Sequence, residues 1–441
     1  MMPNSQKINS LIEAQFHYFE SGKPEEAAAI VGLLMEDLYN VGRYSELWNI
    51  LKRTIDEVHD LNPVFYLYRA RTQGALGRPD EANEELKLLW YLVDDDPELQ
   101  AAILMDIGTS FRRMGDSSKS HEIIKDYQEA YEIYDEKLIP TQEEYRELFR
   151  ENQASCLLGE GTIYHYFLEQ PAEAMQKYNQ ALQIYGEVQS ADGAGVVTKQ
   201  IGEILANKRF REFYDPVAAL GHFRAALEIF QKSDYENRVL ETLYQMARLQ
   251  RDDPEESLRL FRDCFRIANK LGLLREEAVA RRHIADVEFL LFQQEVALQG
   301  PPSRDSEAWH SLSRITQSLE DAAGVLTLFK FDAWSRRALT NCYSSLGEIH
   351  KWLGDNEKAL ADFRSALEVS NEDIFRNRLR GDVKRRLRML LEVVQLLYRM
   401  NQDSEVENLV AAHAADFQQL ELPHPTRGGV DQLIALLKTE G

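Results

Sequence analysis

Arginine and lysine are the side chains of this sequence whose grouping suggests chemistry. Arginines pair at Arg112-Arg113, recur at Arg248 and Arg251, and crowd into a basic run over residues 376–388. A guanidinium presents its N–H donors as a planar fork that matches a carboxylate or a phosphate. Such groups bind and orient an anion rather than catalyse a reaction. The question is therefore which elements bring them onto one surface.

Spacings typical of catalytic or metal sites are missing from the sequence. No HExxH, GxSxG, GxGxxG or GxxxxGK[ST] motif occurs, and the ten histidines show no metal-ligand spacing. The three cysteines, Cys156, Cys264 and Cys342, lie far apart in apolar helical segments. That setting favours buried thiols over ligands or nucleophiles. We therefore expect no enzyme activity, no metal site and no cofactor.

Composition restricts the partners and the compartment. The chain has 441 residues, 44% of them hydrophobic, which is ample for a large core. Its 73 acidic and 51 basic residues give a net charge of −22, which disfavours nucleic acids and anionic membranes as partners. There is no disulfide framework and no apolar run long enough to span a bilayer. These features predict a cytoplasmic protein.

A repeated set of small residues reveals the elements that carry the basic groups. From Gly347, the residues Ala359, Phe363 and Ala366 follow at offsets of 12, 16 and 19. Related offsets, with short loop adjustments, apply to segments anchored at Gln15, Ala70, Gly108, Gly161, Gly202 and Ala247. The pattern predicts two antiparallel helices per unit, in which a small residue of the first helix lets the second helix approach closely and the large side chains of the second helix fill the space between units. Glycine inside a helix costs about 1 kcal/mol relative to alanine, so we interpret it as a contact rather than a break.

The stretch 346–367, with its Leu-Gly, Leu-Gly-Asp, Ala, Phe and Ala-Leu positions, resembles a tetratricopeptide repeat. Similar units cover most of residues 9–370. The resemblance implies an all-α, right-handed superhelical solenoid of antiparallel helix pairs, whose first helices line a concave groove. A weaker resemblance over residues 11–60 links the chain to the sensor arrays of multidomain signalling ATPases of the apoptotic and maltose-regulator type.

We expect five segments along the chain. They are N-terminal units over 1–138, central units over 139–299, a turn-rich linker over 300–306, C-terminal units over 307–418, and a loop with a short capping helix over 419–441.

The resemblance also implies which residues of each first helix face the groove. The predicted partner-binding residues are Arg71, Arg112, Arg113, Lys199, Tyr244, Arg248, Arg251, Arg282, Asn341, Lys351 and Trp352. Five acids share these positions with eight bases, so the predicted face is basic on an acidic molecule. A basic groove favours an acidic or phosphorylated partner segment. The alternative explanation is that arginine is common on solvated helix faces.

A second basic patch is predicted near the C-terminus. It comprises Arg376, Arg380, Lys384, Arg385 and Arg388. Apolar residues between them keep helical spacing, which predicts one amphipathic helix that is either a docking surface or simply a solvated face. Taken together, the sequence predicts a non-catalytic scaffold or adaptor that binds a protein or peptide. The alternative is a ligand-sensing module that relays binding to a separate effector. The oligomeric state stays open.

Overall fold

The computed structural model describes residues 5–93, 95–233, 235–299, 306–376 and 380–439, and this part of the chain contains helices but no strands. The chain divides into two compact units. The first unit comprises residues 1–114, 119–249 and 266–273, and the second comprises 115–118, 250–265 and 274–441. The segmental boundaries expected from the sequence stay a prediction. The expected linker, apart from Ser306, lies outside the described residues.

The helices of the first unit are α1 Ser5–Glu20, α2 Pro24–Asn40, α3 Tyr44–Glu57, α4 Val64–Ala75, α5 Pro79–Trp90, α6 Pro97–Met114, α7 Ser120–Glu132, α8 Arg146–Tyr166, α9 Pro171–Glu187, α10 Ala191–Leu205, α11 Pro216–Lys232 and α12 Glu236–Leu249. Helix α13, Pro254–Leu271, is divided between the units. The second unit continues with α14 Leu274–Gln299, α15 Glu307–Thr327, α16 Ala333–Trp352, α17 Asn356–Arg376, α18 Arg380–Arg399, α19 Asp403–Ala412, α20 Ala414–Gln419 and α21 Val430–Thr439.

Proline and glycine mark the helix ends. Six of these helices begin at a proline, where the missing N–H would have had no helical partner. Gly77 and Gly354 adopt φ values of 82° and 78° in the turns after α4 and α16, a conformation that glycine reaches without strain. A glycine with positive φ also lies directly after or within two residues of the ends of α1, α2, α6 and α13.

The expected close approach of the second helix at the helical glycines is confirmed. A Cβ placed on Gly108 would lie 2.6 Å from the ring of Tyr127. A Cβ on Gly347 would lie 2.9 Å from the ring of Phe363, and Gly202 meets a phenylalanine of α11 in the same way. The rings of the following helices lie against the glycines themselves, a contact that the offsets did not specify. Both units are therefore stacks of tetratricopeptide-like helix pairs, and the chain is an all-α helical solenoid.

Alternate helices form a row that we call the inner row. Within a unit, each helix of this row contacts the next helix of the row, two helices further along the chain. The row contains α4, α6, α8, α10 and α12 in the first unit and α14, α16 and α18 in the second. Helix α2 also packs against α4, with the rings of Tyr39 and Tyr68 6.2 Å apart. It therefore joins this row, because the additional helix α3 shifts the alternation by one.

Candidate functional site

Ion pairs join successive helices of the inner row in the first unit. Arg71 on α4 donates from Nε to Asp106 on α6 across 2.6 Å. Lys199 on α10 donates from Nζ to Glu241 on α12, also across 2.6 Å, and its nitrogen lies 3.9 Å from Glu203. Two of the predicted groove bases are thus already neutralised by carboxylates of a neighbouring helix.

Glu241 is the carboxylate on which the cations of this face converge. Its crowded surroundings oppose ionisation, yet Lys199, Arg238 and Arg112 together lower its pKa to about 2. Half of its side-chain surface, 51%, is nevertheless accessible. The group is therefore an ionised carboxylate that is open to water and close to three positive charges.

Arg112 differs from the other bases of this face. Within the described part of the chain, the structure gives it neither a hydrogen bond nor an ion pair. Burial raises the pKa of Tyr127 and of Tyr166, and the charge of Arg112 opposes that rise in both. The guanidinium therefore lies close to phenols of α7 and α8 and to Glu241, with its donors available to a ligand.

Tyr166 is a residue of this face that sequence reasoning missed. Its hydroxyl donates to Glu203 and, across 3.1 Å, to Gln200 on α10. Tyr166 follows Gly161 by five residues, the same offset that led from Gly108 to Arg113. The repeat pattern would therefore have found it. Asp106 had no such signal, because it stands outside the offsets used.

The turn between α2 and α3 bounds the same face. The Tyr44 hydroxyl shares a hydrogen bond with the side chain of Asn237, and burial followed by the neighbouring Tyr39 raises its pKa to about 12. A Cβ on Gly42 would lie 3.5 Å from Asn237. The inner face of the first unit is thus spanned by contacts between the α2–α3 turn and α12.

The other predicted groove residues of the first unit contact side chains or backbone of the chain itself. The guanidinium of Arg113 approaches Gly74 so closely that a Cβ there would lie 2.6 Å from it. Arg248 lies 5.9 Å from the ring centroid of Tyr244 and donates to Gln245 across 3.2 Å.

The predicted groove residues of the second unit are mostly packed. Arg282 is 6% exposed and pairs with Asp286 across 2.8 Å. Lys351 donates to Glu392 on α18 across 2.5 Å, and that carboxylate is fully buried. Trp352 meets a phenylalanine ring of α14, with centroids 5.3 Å apart. Asn341 is half-buried, whereas Arg251 is exposed and already has an interaction partner.

The predicted C-terminal basic patch is only partly described. The side chains of Arg376 and Arg380 lie outside the described part, as do residues 377–379 between α17 and α18. Lys384 and Arg385 are half-buried and have interaction partners, and Arg388 lies 3.8 Å from Glu348. The described basic side chains of this patch therefore take part in contacts within the chain.

A cleft of about 470 Å³ lies between α7 and α9, with α8 as its floor. Its central residue, Glu160, is 1% exposed and accepts hydrogen bonds from Gln128 across 3.2 Å and from Lys177 across 2.8 Å. Arg150 and Glu187, 2.6 Å apart, form one wall. Nothing in the repeat offsets indicated this cleft.

Among the described residues, no helix combines the length and the apolar character needed to cross a membrane. No group of three or more histidine, cysteine, aspartate or glutamate side chains in that part is placed to hold a metal ion. The three cysteines are buried and free of disulfides, and burial raises the pKa of Cys264 and of Cys342 to about 12.

No protein-family model matches the sequence, and no curated protein matches it. Among solved structures, the apo form of RapI is 17% identical with a TM-score of 0.44, over 71% of this chain and 98% of that one. A signal transduction ATPase with a tetratricopeptide repeat sensor from Pyrococcus horikoshii is 12% identical with a TM-score of 0.47, over 89% of this chain and 54% of that one. A Rap protein complexed with competence and sporulation factor is 13% identical with a TM-score of 0.41, over 78% and 100%. Similarities this low carry no functional argument, so the fold assignment rests on the helix pairing and the glycine contacts.

Proposed function

We propose that this chain is a non-catalytic interaction scaffold or adaptor. In this proposal the inner face of the first unit holds a segment of a partner polypeptide, with an acidic side chain of that segment at Arg112. The available guanidinium of Arg112 carries the proposal, because Arg71 and Lys199 on the same face are already paired. A carboxylate can accept two hydrogen bonds from the guanidinium fork, and nearby Lys199 and Arg238 add to the attraction.

The acidic character of the partner follows from the local balance of charge. Around Glu241, the three cations Lys199, Arg238 and Arg112 outnumber two carboxylates, Glu241 itself and Glu203, which lies 3.9 Å from Lys199. An incoming aspartate, glutamate or phosphate group would therefore enter a locally positive environment on a chain that is acidic overall.

A selection from a displayed random-peptide library on the full chain tests this proposal. We expect enriched sequences to be rich in aspartate and glutamate, and synthetic versions to lose affinity at least tenfold, about 1.4 kcal/mol, on Arg112→Glu. The matched control is Arg224→Glu, an equal charge change at an exposed arginine of α11. Enriched peptides that bind Arg112→Glu as tightly as the wild type would overturn the proposal.

A second candidate function, the sensing of a small polar ligand, is favoured by the cleft between α7 and α9. Its volume of about 470 Å³ suits a small molecule, and the amides and charges of its walls would select a polar one. A metabolite thermal-shift screen tests this function, since a ligand stabilises the state that binds it. The shift should disappear in Lys177→Met and persist in Lys232→Met, which removes an exposed lysine of α11.

A further inference from the structure

An exposed apolar stripe ends helix α5. Leu88, Tyr91 and Leu92 keep 69%, 76% and 76% of their surface accessible. Their spacing of three and four residues places them on one side of the helix end. Val217 on α11 is more exposed, 81%, but stands alone on its helix. Large apolar side chains exposed together favour a surface that another molecule covers.

Carboxylates border this stripe. A cleft of about 320 Å³ extends from Tyr91 and Leu92 to Asp95 and Asp96. Asp96 caps the start of α6, whereas Asp95, within the described residues, has neither a hydrogen bond nor an ion pair. Burial, and then the nearby charge of Asp96, raises the pKa of Glu98. Negative charge is thus concentrated beside the apolar side chains, where a bound cation would relieve it.

We propose that this surface docks a segment of a partner protein that carries apolar side chains beside lysine or arginine. We call it the α5–α6 corner, and it comprises Leu88, Tyr91, Leu92, Asp95, Asp96 and Glu98. The apolar side chains of the segment cover the stripe, and its cation lies against the carboxylates in the cleft. This binding uses a surface different from the inner face, so it does not depend on the function proposed above.

Charge complementarity selects this occupant over the alternatives. An acidic segment would meet carboxylates at the edge of the stripe. A second copy of this chain would bring the same carboxylates and a net charge of −22, which opposes a symmetric contact through this surface. A basic and apolar segment instead gains both from covering the stripe and from the carboxylates.

Binding of three labelled synthetic peptides to the full chain tests the proposal by fluorescence anisotropy. The peptides repeat Lys-Leu-Leu-Lys, Glu-Leu-Leu-Glu and Lys-Ser-Ser-Lys. We expect the first to bind at least tenfold more tightly than the others. The variant Leu88→Ser/Tyr91→Ser/Leu92→Ser should weaken that binding at least tenfold. Asp95→Asn/Glu98→Gln should weaken it severalfold and flatten its dependence on salt, because exposed charges are screened.

The matched control is Leu328→Ser/Phe331→Ser, which removes two apolar side chains that are also exposed, 73% and 51%, but adjoin the exposed Lys330, whereas the neighbouring Asp332 is buried and caps α16. This control should bind like the wild type. Equal binding of the lysine–leucine peptide to all variants, or equal affinity for the glutamate peptide, would overturn the proposal. So would a wild-type dimer in sedimentation that the triple serine variant dissolves, since the occupant would then be a second copy.

Discussion

Two lysine–glutamate pairs occupy related places in the two units and face different surroundings. Lys199 meets Glu241 across 2.6 Å, and Lys351 meets Glu392 across 2.5 Å, each pair joining successive helices of an inner row. Yet Glu241 is 51% exposed and Glu392 is fully buried. The same residue types, each joining successive helices of the inner row, therefore leave the carboxylate open to water in the first unit and bury it in the second.

The difference follows from what covers the second member of each pair. Helix α18 carries Glu392 among Leu391, Val393 and Val394, all fully buried, because α17, α20 and α21 pack around it. Glu241 instead has water on one side and cations on the others. Position within a repeat thus predicts which row of helices carries a side chain. The surrounding helices decide whether that side chain stays accessible to another molecule.

The largest expected effect is that of Lys351→Met. It removes the lysine that lies 2.5 Å from the buried carboxylate of Glu392, and breaking a buried ion pair typically costs about 3–5 kcal/mol. The free energy of unfolding measured in urea should fall by this amount. The double variant Lys351→Met/Glu392→Gln should recover much of the loss. A cost below about 1 kcal/mol, typical of an exposed pair, would show that Glu392 is hydrated and would remove the contrast between the units.

Acid should weaken the first unit through His165. This residue is 3% exposed, and burial lowers its pKa to about 3, whereas the unfolded value is about 6.5. The unfolded state therefore binds more protons below pH 6.5, so the stability present above that pH is lost as the pH falls towards 3. His350 in the second unit has a different setting, because its Nδ1 lies 2.6 Å from Asp362.

The measurement compares unfolding of the wild type, His165→Leu and the exposed-site control His121→Leu between pH 7 and pH 4. The wild type and the control should lose up to about 1.4 kcal/mol per pH unit through this group, and His165→Leu should lack that component. Parallel pH profiles for all three proteins would contradict the prediction.

Alanine at the contact glycines should cost the same in both units. Gly202→Ala and Gly347→Ala each place a Cβ 2.9 Å from a phenylalanine ring, which should destabilise by about 1–3 kcal/mol. Gly221→Ala and Gly324→Ala are the matched controls, because open space surrounds these helical glycines. They should gain up to about 1 kcal/mol. A difference between the units in thermal or urea unfolding would show that their repeat packing is not equivalent.

The smallest expected effect on stability is that of Lys199→Met. Glu241 keeps Arg238 and Arg112 nearby and remains half exposed, so the loss should be below about 1 kcal/mol. The clearer readout is the pKa of Glu241, measured by NMR titration of its side-chain carbon, which should rise. A stability loss as large as that of Lys351→Met would mean that both ion pairs are equally shielded from water.

The repeat offsets predicted much of the fold. They matched Gly108 with Tyr127 and Gly347 with Phe363 because helical periodicity and the space that a glycine leaves are local properties. They did not predict that α2 would join the inner row, since the added helix α3 changes the alternation without leaving a local signal.

What the sequence by itself determined is an all-α stack of helix pairs with arginines and lysines on the inner row. Only the tertiary structure decided which of them are available, because charge pairing depends on how neighbouring helices align. Asp106 neutralises Arg71 from the next inner helix, and Glu392 does the same for Lys351. Within the described residues Arg112 makes no ion pair, although its charge acts on the nearby Glu241. No spacing within one helix shows which bases are paired. The carboxylates that pair with Arg71 and Lys351 stand on another helix, 35 and 41 residues away along the chain.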